Sequence, residues 1–487
     1  MGGITTTHES YNTTVKQWER CRDAVAGSDA IKARGPTYLP ALSEQTTEEY
    51  NGYKTRAMWY GASGRTLQGL IGAVMRKEPT ITVPSLLAPM IRDATQTGVS
   101  FTAMAKMLLS ELLQIGRVGV LVDMPSATGE PARPYCVGYP AESIVNWHTS
   151  MIDGLVTLVR VVLCEPVTEE DPTDPYVLKT IEQYRELYLE KGDGKQTQYR
   201  YYQQLWRKQT DRQRGMEDWV RYQDAITPVR KGEPFDFIPF CFFGPSGLLP
   251  AIEKPPLLDL VDVNLSHYRS SADLEHGRHF CALPTPCVTG ISDKTTKLQI
   301  GSSIAWMLPD PQAKAYMLEF TGQGLGALEK ALEAKQQLMS VLGARLLEEQ
   351  KKSVEASETL QTRYSGEQSV LRSVAGSVSA GLSKCLEWAA LWSGVKEEAA
   401  AKAICQLNMD FVDAQMSFAE LESLVRSWQS GAISYQTLYH LMEKGEITRP
   451  GITAKKEQAA IEVEQPAGIP QNIDPVTGLP DPERNPG

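Results

Sequence analysis

Residues Leu325–Gln350 read as one uninterrupted helix, with Leu328, Leu332, Met339, Leu342 and Leu346 on a single stripe. At 1.5 Å per residue it spans about 39 Å. Two more long helical stretches accompany it. Leu257–Phe280 is amphipathic, and Tyr364–Ser393 runs through Leu371, Val374, Val378, Leu382, Cys385 and Ala389. The last is rich in small residues (Ser373, Ala375, Gly376, Ser377, Ser379, Ala380 and Gly381), so another backbone can approach it closely.

The first third of the chain is also helical. Asn12–Ala26 places Val15, Trp18, Cys21 and Val25 at helical spacing before Gly27. Thr46 to Glu49 is a capping start, with a hydroxyl for orphan amides and acids for the positive helix end. Helices are expected at Ser85–Thr97 and at Ser100–Ile115, the second with Ser100 as N-cap and Gly116 as stop. The pattern then changes. Arg117–Met124, Leu155–Cys164 and Phe235–Phe243 read as strands, and Glu182–Glu190 with Gln198–Trp206 flank Gly192-Asp193-Gly194 as a hairpin. Residues 117–245 therefore predict a largely antiparallel sheet domain on the preceding helices. Short strands are expected around Lys297–Met307 and Lys314–Phe320, and a helix pair at Ser417–Ser430 and Ser434–Lys444. From Pro450 the chain is proline-rich with few large apolar groups, the composition of a disordered tail.

The 487 residues allow two to four compact units. Composition is near the globular average, and no apolar run reaches the roughly 18 residues of a membrane span. Met1–Ser10 lacks a hydrophobic signal core, and eight scattered cysteines suit reduced thiols in a cytosolic setting. The net charge of −10 opposes bulk coating of nucleic acid.

Motifs for chemistry fail one by one. Thr321-Gly322-Gln323-Gly324-Leu325-Gly326-Ala327 has the glycine spacing of a phosphate loop, but no second parallel strand with an acid follows its helix, so a strand-to-helix hinge is the better reading. Glu275-His276-Gly277-Arg278-His279 with Cys281 and Cys287 matches no zinc spacing. Arg207, Lys208, Arg212 and Arg214 alternate with Tyr201, Tyr202, Trp206 and Trp219, which suits single-strand nucleic acid or, better, a half-buried hairpin. With no Walker lysine and no nucleophile elbow, the sequence makes no case for an enzyme, and it implies no catalytic residue, metal or cofactor.

Longer phrases are more informative. Gly35–Pro40 (GPTYLP), Gly69–Lys77 (GLIGAVMRK), Gly116–Pro125 (GRVGVLVDMP), Arg133-Pro134-Tyr135 leading into Ile144–Trp147, and Thr321–Leu347 occur in an order that resembles the portal proteins of tailed bacteriophages, over residues 30–445. The resemblance implies a phage portal fold, mainly helical α+β, with wing, stem, clip and short crown, in a ring of probably twelve subunits at one capsid vertex of the virion. The ring would pass double-stranded DNA during packaging and ejection. Its partners would be the terminase large subunit, head–tail connector or adaptor proteins, and major capsid and scaffolding proteins. It would be made in the host cytoplasm, without a membrane partner. A head–tail adaptor or minor capsid protein without a channel role is the alternative.

Laid on this chain, the resemblance gives a wing of helices (1–116) and of antiparallel strands (117–250), then a stem helix (251–280), clip (281–320), second stem helix (321–350) and channel loop (351–363). A long wing helix (364–403), crown-side helices (404–449) and the tail (450–487) follow. Lys351, Lys352, Ser353, Glu355 and Arg363 would line the channel loop, although no Gly or Pro breaks the chain just after Gln350 and a continuous helix is the reading from residues alone. Cys287, Thr289, Lys294, Lys297 and Ser303 would dock partners on the clip. Ser373–Gly381 would let helices stack on symmetry mates. Twelve copies at −10 make a ring of about −120, which suits a conduit that DNA must slide through.

Overall fold

The computed structural model describes residues 3–125, 133–171, 173–192, 199–210, 217–282, 285–290, 312–318, 322, 324–346, 369–411, 418–430, 432–444, 448 and 452–464. The chain is 47% helical and 25% strand, a mixed fold in which helix has the larger share. It divides into two compact units, Met1–Asp410 and Phe411–Gly487.

In the first unit the helices start and stop where local chemistry says they should. Helix α1 (Glu9–Ala26) is capped by His8, whose Nδ1 accepts from the Ser10 amide, and it gives way at Gly27 to α2 (Ser28–Ala33). Helix α3 (Thr47–Arg56) opens on a full capping box: Glu49 N–H donates to Thr46 Oγ1, and the Thr46 amide donates to the Glu49 carboxylate. Helix α4 (Ala62–Val74) buries Leu67, Leu70, Ile71 and Val74. Strand β1 (Thr80–Thr82) follows. The helix expected over Ser85–Thr97 is much shorter: a 3-10 turn at Ser85–Leu87 and then α5 (Ala88–Arg92). It ends because Asp93 turns extended, where its carboxylate takes hydrogen bonds from Arg133 and the Gly98 amide. Helix α6 (Phe101–Ile115) is capped by Ser100 and stopped at Gly116 (φ +77°), where a side chain would also press on the Pro255 Cα, 3.2 Å from a Cβ.

The expected single sheet domain is two sheets. In the first, β2 (Val118–Asp123) lies between β3 (Tyr135–Pro140) and a later strand, β11 (Phe240–Phe243). That last strand is confined to the four residues that pair with Val118–Leu121, where Phe235–Phe243 had been expected. The second is a five-stranded antiparallel meander of β4 (Ile144–Ile152), β5 (Leu155–Asp171), β6 (Asp174–Lys191), β7 (Tyr199–Thr210) and β8 (Glu217–Arg221). A small hairpin, β9 (Val229–Arg230) with β10 (Glu233–Pro234), precedes β11. Where the two sheets meet, the half-buried Arg185–Glu165 pair (2.7 Å) is joined by Tyr139 and Gln183, which both donate to Glu165. Despite its burial, Glu165 is held below the usual carboxylate range by Arg185. Nearby Asp123 is pushed up by burial.

Chain elements far apart in sequence complete this unit. Helix α7 (Leu258–Ala282), hairpin β12 (Thr285–Thr289) with β13 (Lys314–Leu318), and α8 (Leu325–Arg345) come next. Helix α9 (Val370–Trp392) is buried over most of its length; α10 (Glu397–Ala400) and β14 (Ile404–Gln406), which pairs with β1, follow it.

The small residues of α9 do not form the seam for symmetry mates that had been expected of Ser373–Gly381. They are used within the chain. Gly381 lies on the Phe243 ring, Ser373 and Ser377 donate to the carbonyls of Pro245 and Gly247, and Ser379 accepts from the Leu407 amide. The three-stranded sheet thus gains helical cover from α9, a segment far along the chain, its serines reaching back 128 and 130 residues to Pro245 and Gly247.

The second unit contains α11 (Phe418–Gln429), α12 (Tyr435–Lys444) and α13 (Ala454–Glu464). The last corrects the expectation of disorder from Pro450: Tyr439 donates to the Ile452 carbonyl just ahead of α13, whose first turn Thr453 caps through the Lys456 amide.

Candidate functional site: a helical arm with a terminal hairpin

Helices α7 and α8 run antiparallel as one arm. Three polar contacts fix the register: Arg278 to Glu329 (2.8 Å), Lys335 to Ser270 Oγ (2.6 Å), and Gln336 to His267 (3.2 Å). Gly277 gives room to Leu325 at one end, since a Cβ there would stand 2.6 Å from the leucine Cδ2. Gly343 does the same at the other, against Thr66 and Leu260. The hairpin β12–β13 joins the helices, in register from Thr285↔Leu318 to Thr289↔Lys314.

The root of α7 is apolar, with Leu257, Leu258, Leu260 and Val261 buried. Beyond it the helix departs from the simple amphipathic pattern expected. Asn264, His267 and Ser271 are buried, bonded to Ser63, Gln336 and the Met58 amide. Burial, with the nearby Lys335 ammonium, holds His267 below its ordinary pKa.

Helix α8 is apolar on two faces. Leu332 and Met339 are buried toward α7. On the other side Ala327, Ala334, Leu338 and Val341 face solvent at spacings of seven, four and three residues, with Leu338 45% and Val341 46% exposed. A second apolar stripe on a surface helix is a face built for contact. Strand β13 adds exposed Tyr316 and Met317, on a two-stranded hairpin that is marginal alone in water.

Another feature was not legible in the sequence. The Leu371 amide donates to the Leu346 carbonyl (3.2 Å), so the end of α8 and the start of α9 are tied together. The two helix ends therefore meet, where the residues alone had suggested a helix continuing after Gln350; residues 347–368 lie outside the described residues.

Of the expected site residues, Cys287 and Thr289 lie on β12. Lys294, Lys297 and Ser303, and all of Lys351, Lys352, Ser353, Glu355 and Arg363, lie outside the described residues. Gly322 (φ +64°) and Gly324 lead into α8, and among the described residues β13 pairs with β12 alone, antiparallel, and has no parallel neighbour of the kind a dinucleotide fold needs. Among the described residues no three His, Cys, Asp or Glu side chains gather as metal ligands. His276 packs edge-on against Tyr53 and Phe280 instead. Among the described residues of the meander, Arg207 lies over Tyr222, Lys208 over Trp219 and Arg221 over Trp206, while Arg212 and Arg214 lie outside the described residues. No helix among the described residues is long and apolar enough to cross a membrane. All eight cysteines are free.

Residues 256–393, which hold the whole arm and α9, match the family described as a domain of unknown function, DUF4055. No curated protein matches the chain. Among solved structures, a chain from the neck of an empty GTA particle computed with C6 symmetry is 12% identical, covering 78% of this chain and 90% of that one at a TM-score of 0.39. A chain from the virion of a native gene transfer agent (GTA) particle is 12% identical, with coverage of 86% and 99% and a TM-score of 0.37. A chain from the neck of a native GTA particle computed with C12 symmetry is 11% identical, with coverage of 85% and 98% and a TM-score of 0.38. At TM-scores this low the likeness carries no functional reading.

Proposed function

We propose that this chain is a phage portal protein, a ring of about twelve copies at one capsid vertex. The observation that carries the reading is the arm: α8 is apolar toward α7 and again, through Ala327, Ala334, Leu338 and Val341, toward solvent. A face of that length on a surface helix suits a like helix from a neighbouring copy, and repetition of one such head-to-tail contact closes a ring. In this reading α7 and α8 are the stem and β12–β13 begins the clip. Cys287 and Thr289, with Lys294, Lys297 and Ser303 further along, meet terminase during packaging and head–tail connectors afterwards.

We assign the segment 347–368 the role of the channel loop, with Lys351, Lys352, Ser353, Glu355 and Arg363; the hydrogen bond between Leu346 and Leu371, which flank it, supports this. Double-stranded DNA passes through without being gripped, because a chain at −10 gives an acidic ring that repels phosphate. The role is structural, with ATP hydrolysis left to the terminase.

The test is the native mass of the recombinant chain. A species near twelve times 53.8 kDa, or one subunit either side, supports the reading. A monomer or dimer at micromolar concentration, unmoved by salt and crowding, overturns it.

A further inference from the structure

Strand β4 forms one edge of the meander, and the first residues of the chain lie against it. The His8 amide donates to the Val145 carbonyl (2.9 Å), and Asn146 Nδ2 donates to the Thr6 carbonyl (2.8 Å). Ile4 and Tyr11 pack on a small apolar cluster of Val145, Val162 and Tyr184. Further along α1 the attachment is firmer. Trp18 and Cys21 are buried, and Arg22 holds Glu111 and Glu142 at once, each at 2.7 Å. Residues 3–8 are therefore a strap leading into a fixed helix.

The place of His8 is fitted to a neutral imidazole. Its Nδ1 caps α1 by accepting from the Ser10 amide (3.2 Å), which requires that nitrogen to be unprotonated. Its ring stacks on Trp147 at 4.0 Å and 14°. The Arg117 guanidinium also lies over Trp147, at 4.1 Å, and two planar groups so close to one ring must occupy opposite faces. Arg117 is buried, reaches on to the Phe242 ring (4.7 Å) and donates to the Pro250 carbonyl. Its Nε and Nη2 have no hydrogen-bond partner among the described residues.

A proton on His8 would thus set a second cation across the indole from a buried one. It would also turn Nδ1 into a donor facing the Ser10 N–H, at the helix end where positive charge is unfavourable. The charged and titratable groups around the ring are Arg117, His148 of β4 and Glu9 of α1. Burial, Arg117 and His148 hold His8 below its ordinary pKa, against the opposite pull of Glu9.

We infer that His8 is an acid-operated latch: neutral, it holds residues 3–8 on the meander, and protonated, it releases them with the first turn of α1. The sign follows from linkage. Released, the imidazole has its ordinary pKa of about 6.5, and docked it has a lower one, so docking is fully favoured above that value and weakens as pH falls. Loss of the cap alone corresponds to about a fivefold rise in the released population. Release bares Val162 and Tyr184, with the partly buried Trp206 and Trp219 beside them. The latch works within one chain and does not depend on the ring reading.

Hydrogen exchange of the full chain, read by mass spectrometry between pH 5 and 8 with each rate divided by its intrinsic value, tests it. Protection of residues 3–12 should fall about fivefold or more in acid, with the loss setting in below about pH 6.5, while residues 18–26 keep theirs. In His8→Asn the amide oxygen can still cap but does not titrate, so protection should hold across the range. His8→Lys, charged throughout, should leave residues 3–12 unprotected at every pH. No fall in the parent chain, an equal fall in His8→Asn, or a protected His8→Lys overturns the latch.

Discussion

Two glycines on α9 set opposed predictions for one substitution. Replacing an interior helical glycine by alanine is worth about 1 kcal/mol in propensity. At Gly376 nothing opposes that gain, because the nearest atom to a new Cβ is Met409 Cε at 3.8 Å. At Gly381 the new Cβ would stand 2.2 Å from Phe243 Cε1, 2.6 Å from Cζ and 2.7 Å from Cδ1. The closest of these is about 1.3 Å inside the optimum for two carbons.

Phe243 cannot easily retreat: it is buried, on a strand held to β2 through the Phe243↔Val118 pairing. Overpacking of this kind costs about 1–3 kcal/mol or more. We therefore expect Gly376→Ala to stabilise by about 0.5–1 kcal/mol and Gly381→Ala to destabilise by about 1–2 kcal/mol net. The assay is urea unfolding followed by tryptophan fluorescence, with Trp388 and Trp392 on the same helix. The midpoint should move in opposite directions for the two variants at unchanged slope. Phe243→Leu should partly rescue Gly381→Ala, with a favourable coupling of about 0.5–3 kcal/mol in the double-mutant cycle. A Gly381→Ala protein as stable as Gly376→Ala would refute the intrachain seating of this helix.

Arg185→Met should destabilise by about 1–3 kcal/mol, because it leaves the half-buried Glu165 carboxylate without its cation, and Arg185→Met with Glu165→Gln should recover much of the loss; denaturant midpoints of the four proteins decide it. The folded pKa of Glu165 is depressed, so its contribution is present above the unfolded carboxylate pKa and is lost as pH falls through the lower folded value. Asp123 has the opposite sign, a raised folded pKa, so Asp123→Asn should stabilise at pH 7 and lose that advantage in acid, as thermal melts across pH would show. Leu338→Glu with Val341→Glu should abolish rings in native mass measurements while leaving the monomer's unfolding midpoint within about 0.5 kcal/mol, since both side chains are surface groups. Deleting Ser353–Glu358 should keep rings but impair DNA packaging or retention, and packaging at the parent rate would remove the channel-loop assignment.

What the sequence determined by itself is local. Ser100 and Gly116 bound α6, and Thr46 with Glu49 opens α3, because a cap satisfies amides or carbonyls within one turn of its own residue. The two helices of the arm were legible from period and from Gly322 and Gly324 ahead of α8, and of its hairpin only β13 was, since β12 had not been expected and the strand expected at Lys297–Met307 lies outside the described residues.

Partners were not legible. The small residues of α9 announced a close approach, but only the fold shows that Phe243, Pro245 and Gly247 of the same chain come to them. Helix α7 was expected to be simply amphipathic, yet Asn264 and Ser271 are buried because the residues after α3 bring Ser63 and the Met58 amide to meet them. The bond from Leu371 to Leu346 brings the end of α8 and the start of α9 together, which neither period nor capping announced. Each of these depends on residues tens to hundreds of positions apart, where periodicity and capping carry no information and packing alone selects the neighbour.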